Sequence, residues 1–157
     1  MTQRSVTHAT FVLERIYPAS PAQVFKAFAD PKAKAKWFSG PDEWEKGERI
    51  FDFRVGGRET NSGGPKGGQV HAFNCLYQDI VPNERIIYSY DMKLDDVRIS
   101  VSQTTIELNP SDSGTKLVFT EYGAFLDGYD DAASREHGSS WLLDKLGESL
   151  HHDTANM

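Results

Sequence analysis

Four strand-like segments joined by short turns restrict the fold of this chain more than any other feature. They span residues 70–81, 85–94, 97–108 and 115–122, and turn-forming residues separate each one from the next. A parallel connection needs a dozen residues or more, so strands joined this closely must pair in the antiparallel sense. The sequence therefore predicts an antiparallel meander as the framework of the molecule.

Two strands of this meander each have one aromatic or aliphatic face. These faces consist of Tyr88, Tyr90 and Met92 in one strand and of Val97, Ile99 and Val101 in the next. Because side chains alternate across a strand, we expect both sets to face the core. Tyr88 and Tyr90 then need partners for their hydroxyl groups, which indicates an interior that is partly polar or hydrated.

The segment 130–150 predicts a long C-terminal helix with a single apolar stripe. At about 100° per residue, the stripe contains Ala132, Ser139, Leu142, Leu143, Leu146 and Leu150. The stripe needs an apolar partner, and we expect the sheet to provide it. Trp141 lies about 140° from the centre of the stripe, so we expect it to pack under a loop or to form a dimer contact.

The stretch before the meander begins with one strand and two short helices. Residues 8–17 have the composition of a strand. Ser20 and Gln23 frame a capping box with Pro at the first helical position, and Asp30 followed by Pro begins a second helix. The side chains expected to be buried are Val24, Ala27, Phe28, Ala33 and Trp37.

A further strand and a loop complete the prediction. Residues 48–55 alternate as a strand that ends at the pair 56–57, two glycines where we expect a bend. Residues 60–69 are almost entirely turn formers, which predicts a mobile loop without fixed structure. If a short strand near Trp44 is counted, the sheet has six or seven strands, and residues 1–157 form a single α+β domain.

Composition argues against several classes of function. A formal net charge of -6 and a pI near 5.3 argue against binding to nucleic acid. We expect Lys32, Lys34 and Lys36 to form a solvated helix face. The single cysteine, Cys75, allows no internal disulfide. No run approaches the roughly 18 apolar residues of a membrane span, so we expect a cytoplasmic protein that does not enter a membrane.

The common catalytic motifs are missing from the sequence. It contains no His-Glu-x-x-His, no Cys-x-x-Cys, no Walker loop and no Gly-x-Ser-x-Gly. The glycine-rich residues 63–68 lack the strand-to-helix setting of a phosphate site. His151 and His152 are expected in a frayed tail at 151–157, and His137 on the surface. We therefore expect neither a metal nor another cofactor.

Three motifs together resemble a known family. The stretch YPASPAQVFKAFADPKAKAKWF at 17–38 resembles the START-like, helix-grip (SRPBCC) superfamily. FDFRVGGRE at 51–59 and YDDAASREHGSSWLLDKLGESL at 129–150 resemble, within it, the family named after activators of the 90-kDa heat-shock protein ATPase. The resemblance implies a curved antiparallel sheet around the C-terminal helix, two small helices closing one end, and a pocket between them.

The same resemblance suggests three functions. The superfamily contains lipid carriers, hormone receptors and polyketide cyclases, so a small apolar or aromatic ligand is the first expectation, without enzymatic activity. A cyclase or dehydratase using the same pocket is the second. The third is co-chaperone activity, although in eukaryotic co-chaperones a separate N-terminal domain, which this sequence does not contain, binds the chaperone.

The residues expected to bind a ligand combine apolar walls with a few polar tips. They are Trp37, Phe53, Tyr88, Tyr90, Phe119, Glu121, Leu142 and Leu146. Glu121 is the candidate for an acid or base if the protein is an enzyme. A buried carboxylate without a partner costs several kcal/mol, so we expect Arg54 or Arg58 to pair with Glu121 in a structural ion pair.

Overall fold

A computed structural model describes the backbone of residues 3–155 and the side chains of residues 3–151. Its elements in chain order are β1 (Val6–Tyr17), α1 (Pro21–Ala29), α2 (Pro31–Ala35), β2 (Glu45–Lys46), β3 (Ile50–Phe51), β4 (Arg58–Gly64), β5 (His71–Val81), β6 (Arg85–Leu94), β7 (Val97–Ser111), β8 (Gly114–Leu126) and α3 (Ala132–Ala155). The sheet is antiparallel, with strand order β1-β8-β7-β6-β5-β4-β2 and with β3 paired to β4. The predicted α+β helix-grip fold, with a curved sheet around the terminal helix, is confirmed.

The meander from β5 to β8 forms as predicted because its turns are short and chemically suited to reversal. Asp95 and Asp96 both have positive φ, 54° and 70°, and they join paired residues Leu94 and Val97. Two consecutive residues of this kind give the hairpin turn whose twist matches the strands. Asn83 has φ 66° in the turn before β6. These turns therefore begin the β5–β6 and β6–β7 pairings, and a bulge in each pair then shifts the register.

The helices α1 and α2 begin where the sequence predicts. In the capping box, the Gln23 N–H donates to Ser20 Oγ at 3.2 Å, and the Ser20 N–H donates to Gln23 Oε1 at 2.8 Å. Val24, Ala27 and Phe28 are buried, as expected. Asp30 occupies the N-cap position of α2, but its side chain makes no capping hydrogen bond.

Helix α3 is attached mainly along β1, the edge strand of the sheet. Leu143, Leu146 and Leu150 are buried, as the apolar stripe predicts. The Tyr17 hydroxyl donates to the Leu143 carbonyl at 2.7 Å, and Arg15 reaches the Ser140 hydroxyl at 2.6 Å. Between residues 3 and 155, no helix is long and apolar enough to cross a membrane.

One predicted loop is a strand, one predicted strand is longer than expected, and another is mostly loop. Residues 60–64, expected to be mobile, belong to β4, in which residues 60–63 pair with β5 and Gly64 pairs with Glu45 of β2. A Cβ on residue 64 would lie 2.1 Å from the Gln69 carbonyl oxygen, so glycine is needed there for the two backbone segments to approach closely. From composition alone, this glycine indicated a turn. Strand β8 continues to Leu126. Of residues 48–55, only Ile50 and Phe51 are in a strand.

The C-terminal tail also differs from the prediction. Helix α3 continues through residues 151–155, where a frayed tail was expected. His151 is exposed. The remainder of the predicted tail, residues 156–157, lies outside the described residues.

The face assigned to the start of β7 is right for Ile99, which is buried, and wrong for Val97 and Val101. Val97 and Val101 are 44% and 43% exposed, whereas Ser100 and Ser102 are buried.

The pairing with β6 contains a bulge, since Lys93 pairs with Arg98 but Met92 pairs with Ser100. The extra residue in β7 exchanges the inward and outward faces of the strand beyond it. A row of hydroxyl side chains therefore faces the interior at this strand.

The turn between β7 and β8 depends on glycine, which gives a test of the fold. Gly114 has φ 145°, and a Cβ there would lie 2.3 Å from the Tyr17 carbonyl oxygen. We expect Gly114→Ala to lower the free energy of unfolding by about 2 kcal/mol or more, from backbone strain and collision together. Urea denaturation monitored by circular dichroism measures this.

Gly128→Ala is the matched control. Gly128 also has positive φ, 73°, but an added Cβ would have no neighbour within 4 Å. Its cost should be about 1 kcal/mol, from backbone strain alone. Equal losses in the two variants would contradict the proposed collision with Tyr17.

Candidate functional site

A cavity of about 470 Å³ lies between the sheet, the two short helices and α3. Most of its wall is apolar. The apolar and aromatic lining consists of Phe28, Trp37, Phe38, Phe73, Tyr88, Met92, Phe119, Leu142 and Leu143. Pockets for small molecules combine walls of this kind with a few polar groups. Here the buried charged groups form two clusters, while Lys46, His71 and His137 of the lining are exposed.

Six of the eight residues predicted to bind a ligand line this cavity. They are Trp37, Tyr88, Tyr90, Phe119, Glu121 and Leu142. Phe53 lies outside the lining because it packs among other rings, 4.9 Å from Tyr77 and 5.7 Å from Phe25 between ring centroids. Leu146 is fully buried one turn further along α3, in the core beneath the helix.

Glu121 is the centre of the first polar cluster. It sits on β8 with 1% of its surface exposed. Its Oε1 accepts a hydrogen bond from the Thr104 hydroxyl at 2.8 Å, and its Oε2 accepts one from the Tyr90 hydroxyl at 2.9 Å. Burial raises the pKa of Glu121, although the two hydrogen bonds and a nearby arginine lower it again in part.

The arginine beside Glu121 is Arg135 on α3, and the predicted pairing with Arg54 or Arg58 is wrong. Arg135 Nη1 lies 3.9 Å from Glu121 Oε2 and donates to the Tyr90 hydroxyl at 2.9 Å. Arg54 is exposed and pairs with Asp52 on its own turn. Arg135 reaches Glu121 on β8 from helix α3, which packs over the sheet. The spacing of residues along the strands could not predict this pairing.

The cluster extends from Arg135 to the sheet and to the start of α3. Arg135 Nη2 donates to the Ser100 hydroxyl at 2.7 Å and to Asp130 Oδ2 at 2.9 Å. Ser100 faces inward only because of the bulge in the β6–β7 pairing. The cluster therefore ties the first turn of α3 to the sheet.

Lys34 forms the second polar cluster, and its predicted place on a solvated face is wrong. The side chain is 4% exposed, and its Nζ lies 2.5 Å from Glu59 Oε1 and 3.2 Å from the Tyr77 hydroxyl. The ammonium also stands 4.3 Å from the centroid of the Phe38 ring. Burial lowers the pKa of Lys34, and Glu59 opposes that shift.

A helical signal for the burial of Lys34 was present in the sequence. Lys34 precedes Trp37 and Phe38 by three and four residues, so on a helix it shares their face. Both aromatic residues line the cavity. The positive charge of Lys34 nevertheless led to the prediction of an exposed side chain, because the partner that neutralises it, Glu59, lies on a separate strand and could not be foreseen.

The mouth of the cavity is formed by the segment before β2 and by the exposed side of α3. Trp44 stacks on His71 with 4.9 Å between ring centroids. His137 is exposed, as predicted, and also lines the cavity. Trp141 is 42% exposed at the mouth, with Lys145 Nζ 4.5 Å from its ring centroid. Trp141 is thus part of the opening.

The curved sheet that encloses the terminal helix and this cavity is the helix-grip fold of the START-like superfamily. Sequence comparison identifies the family. A model of the activator of Hsp90 ATPase homolog 1-like proteins matches residues 18–151. The chain belongs to this family. The resemblance predicted from three motifs is therefore confirmed.

Solved structures of bacterial proteins agree with this assignment. A protein from Rhizobium leguminosarum is 46% identical, covers 96% of this chain and 99% of its own, and superimposes with a TM-score of 0.91. A Rhizobium loti protein is also 46% identical, with coverages of 92% and 99% and a TM-score of 0.86. One from Chromobacterium violaceum is 31% identical, with coverages of 90% and 96% and a TM-score of 0.76. No curated protein sequence matches the chain.

The Lys34 cluster predicts a strong non-additivity in stability. Lys34→Met leaves the Glu59 carboxylate buried, with the Tyr77 hydroxyl bonded to it and Arg49 at 3.6 Å. We expect this change to cost about 3–5 kcal/mol of unfolding free energy. Lys34→Met combined with Glu59→Gln should cost at least about 1 kcal/mol less, because the fully buried carboxylate is removed together with its lysine, and the remaining cation, Arg49, is partly exposed.

The exposed pair Arg85–Asp79 provides the control for this measurement. Its charges are 2.6 Å apart, but the two side chains are 48% and 37% exposed. Arg85→Met should cost far less than Lys34→Met, because solvent screens the exposed pair. A double variant less stable than Lys34→Met would contradict the ion-pair assignment; chemical denaturation gives all of these values.

Proposed function

We propose that this protein binds an apolar or aromatic small molecule in the cavity between the sheet and α3. The observation that carries the proposal is the apolar wall of a 470 Å³ space that ends at buried hydrogen-bonding groups. Pockets of about 300–1,000 Å³ hold small ligands in many proteins. Membership of a START-like family supports the same conclusion.

The wall is built to be rigid. Phe73 packs edge-on against Phe38 at 5.1 Å between ring centroids, and it packs against Tyr90 at 4.9 Å with the rings tilted by 41°. Trp37 packs edge-on against Phe28 at 4.9 Å, and its indole N–H donates to the Ala27 carbonyl at 3.0 Å. Rings held by several neighbours lose little further entropy when a ligand arrives, which favours binding.

Reducing the cavity should weaken binding. Leu142 is half-buried on the α3 wall. Leu142→Trp places a larger side chain in the open space, so we expect it to weaken binding of any cavity ligand at least about tenfold, with little loss of stability. Ligands found by screening with protein-observed NMR would be titrated against both proteins.

Glu136→Trp is the control for an added indole on the same helix. Glu136 is exposed and does not line the cavity. Its variant should bind as the unsubstituted protein does. If Leu142→Trp also leaves affinity unchanged, or if shift changes map away from the cavity, binding does not occur in this space.

One observation favours a second candidate, an enzyme of the cyclase or dehydratase type. Glu121 is a buried cavity carboxyl with a raised pKa, the setting in which a carboxyl group can hold a proton for transfer. If a bound ligand is converted, we expect Glu121→Gln to slow turnover about 100-fold or more while the ligand still binds. Mass spectrometry of the incubated ligand measures this. An unchanged rate in the variant would exclude Glu121 from the chemistry.

A further inference from the structure

We propose that the ligand is a hydrophobic amine whose ammonium group binds Glu121 at the polar end of the cavity. This inference rests on the proposed function, since it assigns a chemical class to the ligand of the same space. It follows from the charge, the hydrogen-bonding capacity and the aromatic surroundings of the Glu121 cluster.

The charge of the cluster favours a cation. Its ionisable groups are the carboxylates of Glu121 and Asp130 and the guanidinium of Arg135, all of which line the cavity. Two negative charges and one positive charge leave a net charge of about −1 when all three are ionised. Burial raises the pKa of Glu121, and an ammonium group beside the carboxyl would lower that pKa again and favour the ionised form. A ligand ammonium would neutralise the cluster, whereas a ligand carboxylate would add a like charge beside two others.

The arginine is already occupied by the protein. Arg135 donates to the Tyr90 hydroxyl, to the Ser100 hydroxyl and to Asp130 Oδ2, at 2.7–2.9 Å. An acidic ligand would have to displace some of these hydrogen bonds to obtain a paired geometry with the guanidinium. Arg135 therefore orients the cluster and is a poor receptor for an anion.

Glu121 retains capacity to accept hydrogen bonds. A carboxylate has about four acceptor sites, and among the described side chains only the Thr104 and Tyr90 hydroxyls donate hydrogen bonds to Glu121. A donor from the ligand fits the remaining sites, and a primary ammonium offers three donors with a positive charge. Hydrogen bonds between charged groups are roughly twice as strong as neutral ones.

The rings around the cluster suit a cation as well. The aromatic residues near it in the lining are Phe73, Tyr88, Tyr90 and Phe119. Aromatic faces attract cations within about 6 Å. The protein already uses this attraction here, since the Arg135 guanidinium carbon lies 5.7 Å from the Tyr90 ring centroid and 5.4 Å from that of Phe125.

The second polar cluster does not reverse this preference. Lys34 is the buried cation on that side of the lining, and its Nζ is bonded to Glu59 and to Tyr77 and stands over the Phe38 ring. Arg49, 3.6 Å from Glu59 Oε2, adds a second positive charge to this cluster but is not among the residues that line the cavity. An acidic ligand would therefore have to compete with Glu59 for Lys34.

Three probes with one hydrophobic body test the proposal: phenylbutylamine, phenylbutanol and phenylbutyrate. Each would be titrated near neutral pH into the unsubstituted protein and into Glu121→Gln, with NMR mapping and calorimetry. We expect the amine to bind at least about tenfold more tightly than the alcohol, and the acid to bind most weakly. In Glu121→Gln the amine should lose this advantage, while the affinity for the alcohol changes less than about threefold.

The alcohol separates failure of this inference from failure of the proposed function. If the alcohol or the acid binds in the cavity as tightly as the amine, the ligand class is wrong and the cavity function stands. If no probe shifts cavity resonances, both are overturned. An amine preference that persists in Glu121→Gln removes Glu121 as the receptor.

A second measurement does not depend on the folding of the variant. In unsubstituted protein labelled with ¹³C at glutamate side-chain carboxyl groups, the Glu121 signal should shift on titration with the amine and change far less with the alcohol. Amine binding in the cavity without such a shift would overturn the assignment.

Discussion

Only the second half of helix α3 packs large apolar side chains into the core, and the cavity exists because of this. Leu143, Leu146 and Leu150 seat its second half in the core, where the Tyr17 hydroxyl also holds the Leu143 carbonyl. The first half, residues 132–140, carries no large apolar side chain that could fill the curved sheet. The helix covers the concave face there without occupying it.

The two buried ionic clusters follow from the same geometry. The first half of α3 is held by Arg135, which bonds to side chains on β6 and β7 and lies beside Glu121 on β8. On the α2 side, Lys34 is bonded to Glu59 and Tyr77. A buried charge that loses its partner costs several kcal/mol, so both clusters hold the walls in place while presenting polar groups beside an apolar space.

Much of this arrangement was accessible from local patterns. Short turns dictated antiparallel pairing, the Ser20–Gln23 box located α1, and the leucine spacing located the buried face of α3. Inward positions such as Tyr88, Tyr90 and Glu121 followed from alternation along regular strands. Two of the errors arose where a single residue broke a local pattern. A bulge turned Ser100 inward and interrupted the alternation of strand faces, and the charge of Lys34 concealed its helical spacing.

Element order, the meander and the apolar stripe were therefore determined by the sequence, because hydrophobic period, capping and turn chemistry act over a few residues. The ion-pair partners and the cavity were decided by the tertiary structure. Arg135 reaches Tyr90, and Lys34 reaches Glu59, across 45 and 25 positions of the chain. The periodicity of hydrophobic residues covers only a few positions and cannot predict contacts at such separations. The cavity depends on the missing large apolar side chains of residues 132–140 as well as on the side chains of the sheet.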